Sequence, residues 1–77
     1  MWKMDIIRIN GHCYFCEFKV YEIGSQFGID GGRISKLWIK RNGLKEVVVC
    51  NYDRGWDIRP INEEAKTVFQ MIIDKYN

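Results

Sequence analysis

Apolar and polar residues alternate along the first two thirds of the chain, then recur every three to four positions near its end. Met4, Ile6, Ile7 and Ile9 interleave with Lys3, Asp5 and Arg8, which predicts a strand over residues 3–9. Asn10-Gly11 follows, and Asn-Gly between two β-prone runs predicts a type I′ turn with positive φ at both residues. The next strand spans His12 to about Tyr21. Tyr14, Cys16, Phe18 and Val20 form one apolar face, while Glu17, Lys19 and Tyr21 form a wetter one with Cys13 and Phe15 near the turn. A two-residue turn fixes the register: Ile9 opposes His12 and Ile7 opposes Tyr14, so both isoleucines join the apolar face.

Glu22 to Gly32 breaks the alternation and predicts a loop, with Phe27 and Ile29 tucked under the sheet edge. Gly24, Gly28, Gly31 and Gly32, four of the seven glycines, crowd into it. Such a cluster marks positive φ angles or a backbone that something approaches closely. Arg33–Lys40 and Glu46–Tyr52 read as strands three and four around Asn42-Gly43. A strict two-residue turn would set Lys40 against Lys45. A longer loop over Arg41–Lys45 pairs Lys40 with Glu46, Ile39 with Val47, Trp38 with Val48 and Leu37 with Val49. Leu37, Ile39, Val47 and Val49 then face the core, and Lys36, Trp38, Lys40, Glu46 and Val48 face away. Residues 52–60 read as a second loop, in which Pro60 closes the sheet. Asn62 is a good N-cap, with Glu63 and Glu64 in the first turn. Ala65, Val68, Phe69, Ile72, Ile73 and Tyr76 then form one helical stripe, with Lys66, Gln70, Asp74 and Lys75 on the wet side. The expected fold is α+β: a single domain over residues 1–77, with a four-stranded antiparallel sheet of two β-hairpins and one C-terminal helix on one face.

Composition supports a packed domain, since 47% hydrophobic with 14% aromatic is enough for one core in 77 residues. Twelve basic against ten acidic residues argue against an acidic nucleic-acid mimic and do not indicate a strongly basic binder. No apolar run approaches a membrane span, the N-terminal charges do not fit a signal peptide, and an odd cysteine count points to a reducing, cytoplasmic setting.

Cys13-x-x-Cys16 with His12 and Cys50 invites zinc, but residues three apart on a strand point to opposite faces. Half-buried or buried thiols are the reading adopted, with no metal and no cofactor. His12 is expected at a hairpin tip. No serine or cysteine has an evident partner base, and Asp30 and Asp53 as an acid–base pair is the weaker alternative to Asx turns at Asp53 and Asp57. Gly31, Gly32 and Arg33 are expected to meet Tyr52, Arg54 and Trp56 at one end of the sheet. Glycine amides, two guanidiniums and an aromatic ring suit a phosphate-and-base ligand. The competing reading locks Arg33 and Arg54 to Asp30, Asp53 and Asp57, with Trp56 plugging the core end. Lys36, Trp38 and Lys40, with Val48 and Tyr52, make the helix-free face a candidate protein interface, dimer face or single-strand nucleic-acid platform.

The run from Ser25 to Leu37, followed by Asn51-Tyr-Asp-Arg-Gly-Trp-Asp-Ile-Arg-Pro and a helix, resembles a family of short proteins found in phages and mobile elements of Gram-positive bacteria, a domain of unknown function. The resemblance covers nearly the whole chain and brings no catalytic residues. It implies an accessory protein that interferes with host defence by binding a host protein or sequestering a nucleotide signal. The expectation is therefore a non-enzymatic protein that binds a host protein through the open sheet face, with a homo-oligomer through that face as a further possibility. A nucleotide or nucleic-acid binder using Arg33, Lys36, Arg54 and Trp56 is the alternative.

Overall fold

A computed structural model describes residues 1–77. The chain forms a five-stranded antiparallel meander followed by one helix: β1 (Trp2–Ile9), β2 (His12–Val20), β3 (Ile34–Asn42), β4 (Val47–Asp53), β5 (Trp56–Ile58) and α1 (Glu63–Tyr76), in the spatial order β1-β2-β3-β4-β5. The α+β class and the C-terminal helix agree with the sequence pattern. The strand count does not, because Trp56-Asp-Ile, expected in a loop, adds a fifth strand at the edge.

The first hairpin follows the Asn-Gly rule. Asn10 and Gly11 have φ of 53° and 77°, and Ile9 pairs with His12 and Ile7 with Tyr14. The second hairpin differs. β3 runs on to Asn42, the connection is residues 43–46, and Leu37 pairs with Tyr52, Trp38 with Asn51, Ile39 with Cys50 and Lys40 with Val48. The register shifts between Ile39 and Lys40. One extra residue on β4, Val49, sits in that bulge, so Val49 and Cys50 both face inward and are fully buried. The bulge moves Tyr52 from the expected open face to the core face, where it is buried.

One face of the sheet meets α1. Tyr14, Cys16 and Phe18 from β2, Leu37 and Ile39 from β3, and Val49, Cys50 and Tyr52 from β4 join Ala65, Val68 and Ile72 in a single core cluster. The Val, Leu, Ile and Phe side chains among them each contribute about 1.5–3 kcal/mol by leaving water. Phe69, Ile73 and Tyr76 pack around the cluster's border. Asn62 Oδ1 accepts from Ala65 N at 2.8 Å and starts the helix. Trp56 packs edge-on against Tyr52 and touches Phe69, with ring centroids 5.2 and 5.4 Å apart, and so closes the end of the core. Cys13 is half-buried on the open face, while Cys16 and Cys50 are fully buried on the helix side. Cys16 and Cys50 both pair with Ile39 from opposite sides. They therefore stand two strand spacings apart, about 9.5 Å, beyond the reach of a disulfide. Burial pushes both thiols up to about 12.

Candidate binding face and the loop end

The alternation that buries Tyr14, Cys16 and Phe18 sends the intervening residues to the face that α1 leaves uncovered. β1 contributes Trp2, Met4 and Ile6, which are 57%, 66% and 46% exposed. β2 contributes Phe15, Glu17 and Lys19, and β3 contributes Lys36, Trp38 and Lys40. Trp38 lies here, 43% exposed, as the alternation predicts. Trp2 pairs with Lys19 and Trp38 with Glu17, so the two indoles sit on either side of β2. Between them runs a cleft of about 350 Å³ bordered by Glu17, Lys36, Asn51 and Asp53.

Two of the three lysines of this face have acidic partners, and the third, Lys19, lies over the Tyr21 ring. Lys36 Nζ is 3.7 Å from Asp53, and Lys40 Nζ is 3.8 Å from Glu17 and 3.7 Å from Glu46. Lys40 also lies over the Trp38 ring, 4.9 Å from its centroid. The face is thus largely apolar, with Lys36 and Lys40 neutralised. A phosphate backbone would have to displace those carboxylates.

The loop end brings the two motifs together, as the sequence leads one to expect. Tyr52 OH donates to Phe27 O at 2.9 Å, and Arg54 N donates to Ser35 O at 2.8 Å. The side chains follow the competing expectation in part: Trp56 closes the core end and Arg54 lies near Asp53, but Arg33 turns to the helix terminus instead of an aspartate. Arg33 Nη2 donates to Tyr76 O at 2.8 Å, at the helix C-terminus, and lines a cleft beside Lys3 and Val20. Arg54 lies on another side, 3.9 Å from Asp53, and lines a separate cleft of about 560 Å³ with Tyr21, Phe27 and Ser35. The two guanidiniums share no cavity, and Trp56 is turned toward Phe69 rather than toward Gly31 and Gly32. Arg59, not Arg54, lies over the Trp56 ring, at 5.1 Å.

The glycine loop packs on itself. Ile29–Gly31 forms one 3₁₀ turn, with Asp30 and Gly31 at φ of 52° and 73°. Ile29 is buried as expected, whereas Phe27 stays half-exposed because its carbonyl, not its ring, is what Tyr52 holds. A Cβ at Gly24 or Gly28 would run into the carbonyls of Gly31 and Gly32, and one at Gly32 would run into the Asn77 side chain. Asn77 Oδ1 accepts from Ile34 N at 2.9 Å, and its Nδ2 donates to Ile29 O at 3.0 Å. The close approach signalled by the glycines is therefore made by the loop's own backbone and by an asparagine amide.

A further cluster joins the tip of the first hairpin to the start of α1. Glu64 accepts from Tyr14 OH at 2.5 Å, from Asn10 Nδ2 at 3.1 Å, and lies 2.5 Å from His12 Nδ1. The hydrogen bond from Tyr14, with those from His12 and Asn10, holds the Glu64 carboxyl down at about 2. Burial, together with Glu64, pushes the Tyr14 phenol up to about 12. A depressed carboxyl stabilises the fold above its unfolded value of 4.5 and loses that contribution as pH falls toward 2. A raised phenol stabilises below 10 and loses its contribution as pH rises toward 12. Thermal unfolding followed by circular dichroism is expected to show stability declining from pH 4.5 to 2. Glu64→Gln should remove part of that decline, and an unchanged acid limb would contradict the assignment. Sequence reading gave Glu64 only a helix-dipole role. The sole hint was a histidine and a tyrosine two apart at a hairpin tip, which alternation places on the helix side.

Comparison with known proteins gives one match: the pattern of a family described as a domain of unknown function (DUF7678) covers residues 1–77. No curated protein and no solved structure matches the chain. No helix of the structure is long and apolar enough to cross a membrane.

Proposed function

We propose, from the premise that the chain belongs to the DUF7678 family, that it is a non-enzymatic binding protein that engages a partner protein through its open sheet face. One observation carries this reading. Trp2, Met4, Ile6 and Trp38 stand exposed on a face where Lys36 and Lys40, the lysines flanking Trp38, already have acidic partners. Contiguous apolar patches are uncommon on monomers, and Trp and Met are enriched where proteins meet. A side chain of the partner, aromatic or aliphatic, would fill the cleft between the two indoles. The resemblance of the two loop motifs to short phage and mobile-element proteins supports a host protein as that partner, met in the host cytosol. Interference with a defence system is the role such a contact would serve.

A second reading, a nucleotide or nucleic-acid ligand, is favoured by the cleft where Arg54 stands with Tyr21, Phe27 and the buried Ser35. A guanidinium beside aromatic rings suits a phosphate and a base. Native mass spectrometry of the protein purified from its host separates the two. A co-purifying protein retained from about 50 mM to 500 mM salt supports the first reading, because phosphate contacts weaken steeply over that range. A retained small phosphorylated ligand, or a complex that falls apart as salt rises, would favour the second.

A further inference from the structure

β1 is an outer strand, and its free edge is the longest unpaired backbone edge of the sheet. β5 at the opposite edge is only three residues long and is followed closely by Pro60. Met1 and Val20 exchange both backbone hydrogen bonds, so the odd residues of β1 bond to β2. Trp2, Met4, Ile6 and Arg8 therefore turn their backbone groups outward. One of these outward donors is already covered: Ile6 N donates to Asp5 Oδ1 at 2.9 Å. The others have no protein partner, although an exposed strand edge is a template for another strand.

We infer that β1 pairs antiparallel with β1 of a second copy about a two-fold axis through Met4. Charge and hydrophobicity select this register. With Met4 opposite the partner's Met4, Lys3 opposes the partner's Asp5 and Asp5 opposes the partner's Lys3, while Trp2 and Ile6 pair across the axis. Stepping the register by one pairing unit puts Lys3 against the partner's Lys3. Stepping it the other way puts Asp5 against the partner's Asp5. Like charges directly opposite are destabilising, and opposite ones are favourable. Asp5 is placed for the exchange. Its Oδ2 is held by Tyr76 OH at 3.0 Å, and Oδ1 is released to the incoming lysine once Ile6 N bonds to the partner's Trp2. Lys75, 3.6 Å from Asp5, remains beside it. Trp2, Met4 and Ile6 of both copies then form one apolar strip across the axis, and two sheets of five strands become one continuous sheet.

The inference does not depend on the partner-protein reading. Sedimentation of the full chain in reducing buffer tests it. A concentration-dependent dimer is expected, dissociating in about the micromolar range because edge pairing buries a small area. Met4→Pro removes an outward N–H and leaves the bonds to β2 intact, so it should give a monomer with unchanged circular dichroism. In a Cys13→Ser background, Met4→Cys should form a disulfide-linked dimer under mild oxidation and Ile6→Cys should not. The cysteine pair decides the matter if the proline variant fails to fold. A wild-type monomer at about 1 mM, where even weak interfaces of this class assemble, would overturn the inference. So would a Met4→Pro dimer or equal cross-linking from Ile6→Cys. Capture of a host protein by a monomer would leave the open-face reading standing without the dimer.

Discussion

Gly28→Ala is expected to destabilise the fold by about 2–3 kcal/mol, at the upper end of what overpacking costs. The new Cβ would meet the Gly32 carbonyl, a backbone group that cannot swing aside as a side chain tip would. Moving that carbonyl would disturb Gly32, whose N–H donates to Ile29 O at 2.8 Å and whose carbonyl accepts from Ser25 N at 3.2 Å. It would also disturb the amide of Asn77 beside it. For a chain of this size, that cost lowers the melting temperature by roughly 10–20 °C. The neighbouring glycines calibrate the argument. Gly31 has open space but a φ of 73°, so Gly31→Ala should cost about 1 kcal/mol from backbone strain alone. Gly55 has open space and no such angle, so Gly55→Ala should change stability by less than about 0.5 kcal/mol. Denaturant unfolding of the three variants checks the order. Equal effects at Gly28 and Gly55 would contradict the packing described for the loop.

Trp38→Ala should leave the fold intact and weaken partner binding by about 30- to 1,000-fold, the range of a buried aromatic anchor lost from an interface. The indole is nearly half exposed, lies beneath Lys40 and is no part of the core cluster, so little core packing is lost. Lys36→Ala should change affinity far less, since Lys36 is half exposed and engaged with Asp53. Titration calorimetry with the captured partner measures both. Equal losses from the two substitutions would point to an electrostatic contact instead of an apolar one.

The parts of the fold that were legible in the sequence are those where a local rule acts alone. Asn10-Gly11 selects its turn through positive φ, and that turn sets the register of β1 and β2. The helix was legible because its N-cap and apolar stripe lie within one segment. Val47-Val48-Val49 offers no alternation, so nothing local shows that Val49 is the bulged residue. The wrong face for Tyr52 follows from that one residue, while the three-residue slip in the pairing of Leu37 adds to it a connection that lies at 43–46 instead of 41–45. β5 was hidden by its length and by the Asp53-Arg54-Gly55 turn, where Arg54 takes a φ of 57° that side chains seldom adopt.

The candidate site divides in the same way. Alternation alone places Lys36, Trp38 and Lys40 on the open face. The role of the glycine loop depends on Asn77, far along the chain, and no local pattern reports that contact. Arg33 and Arg54 have matching chemistry and neighbouring loops, yet one turns to the helix terminus and the other to a separate cleft on the far side of Tyr21 and Glu22. Which way each turns is decided by backbone direction at the strand ends, and composition carries no information about it.

The claim on which the functional reading turns is that the working surface is the sheet face that the helix leaves bare. Photo-cross-linking from single positions in the host cell tests it most directly. A photoreactive residue replacing Trp38 should trap a host protein, while one replacing Gln70 on the outer side of α1 should trap none. Adducts from position 70 with none from position 38 would place the contact on the helix side and contradict the account.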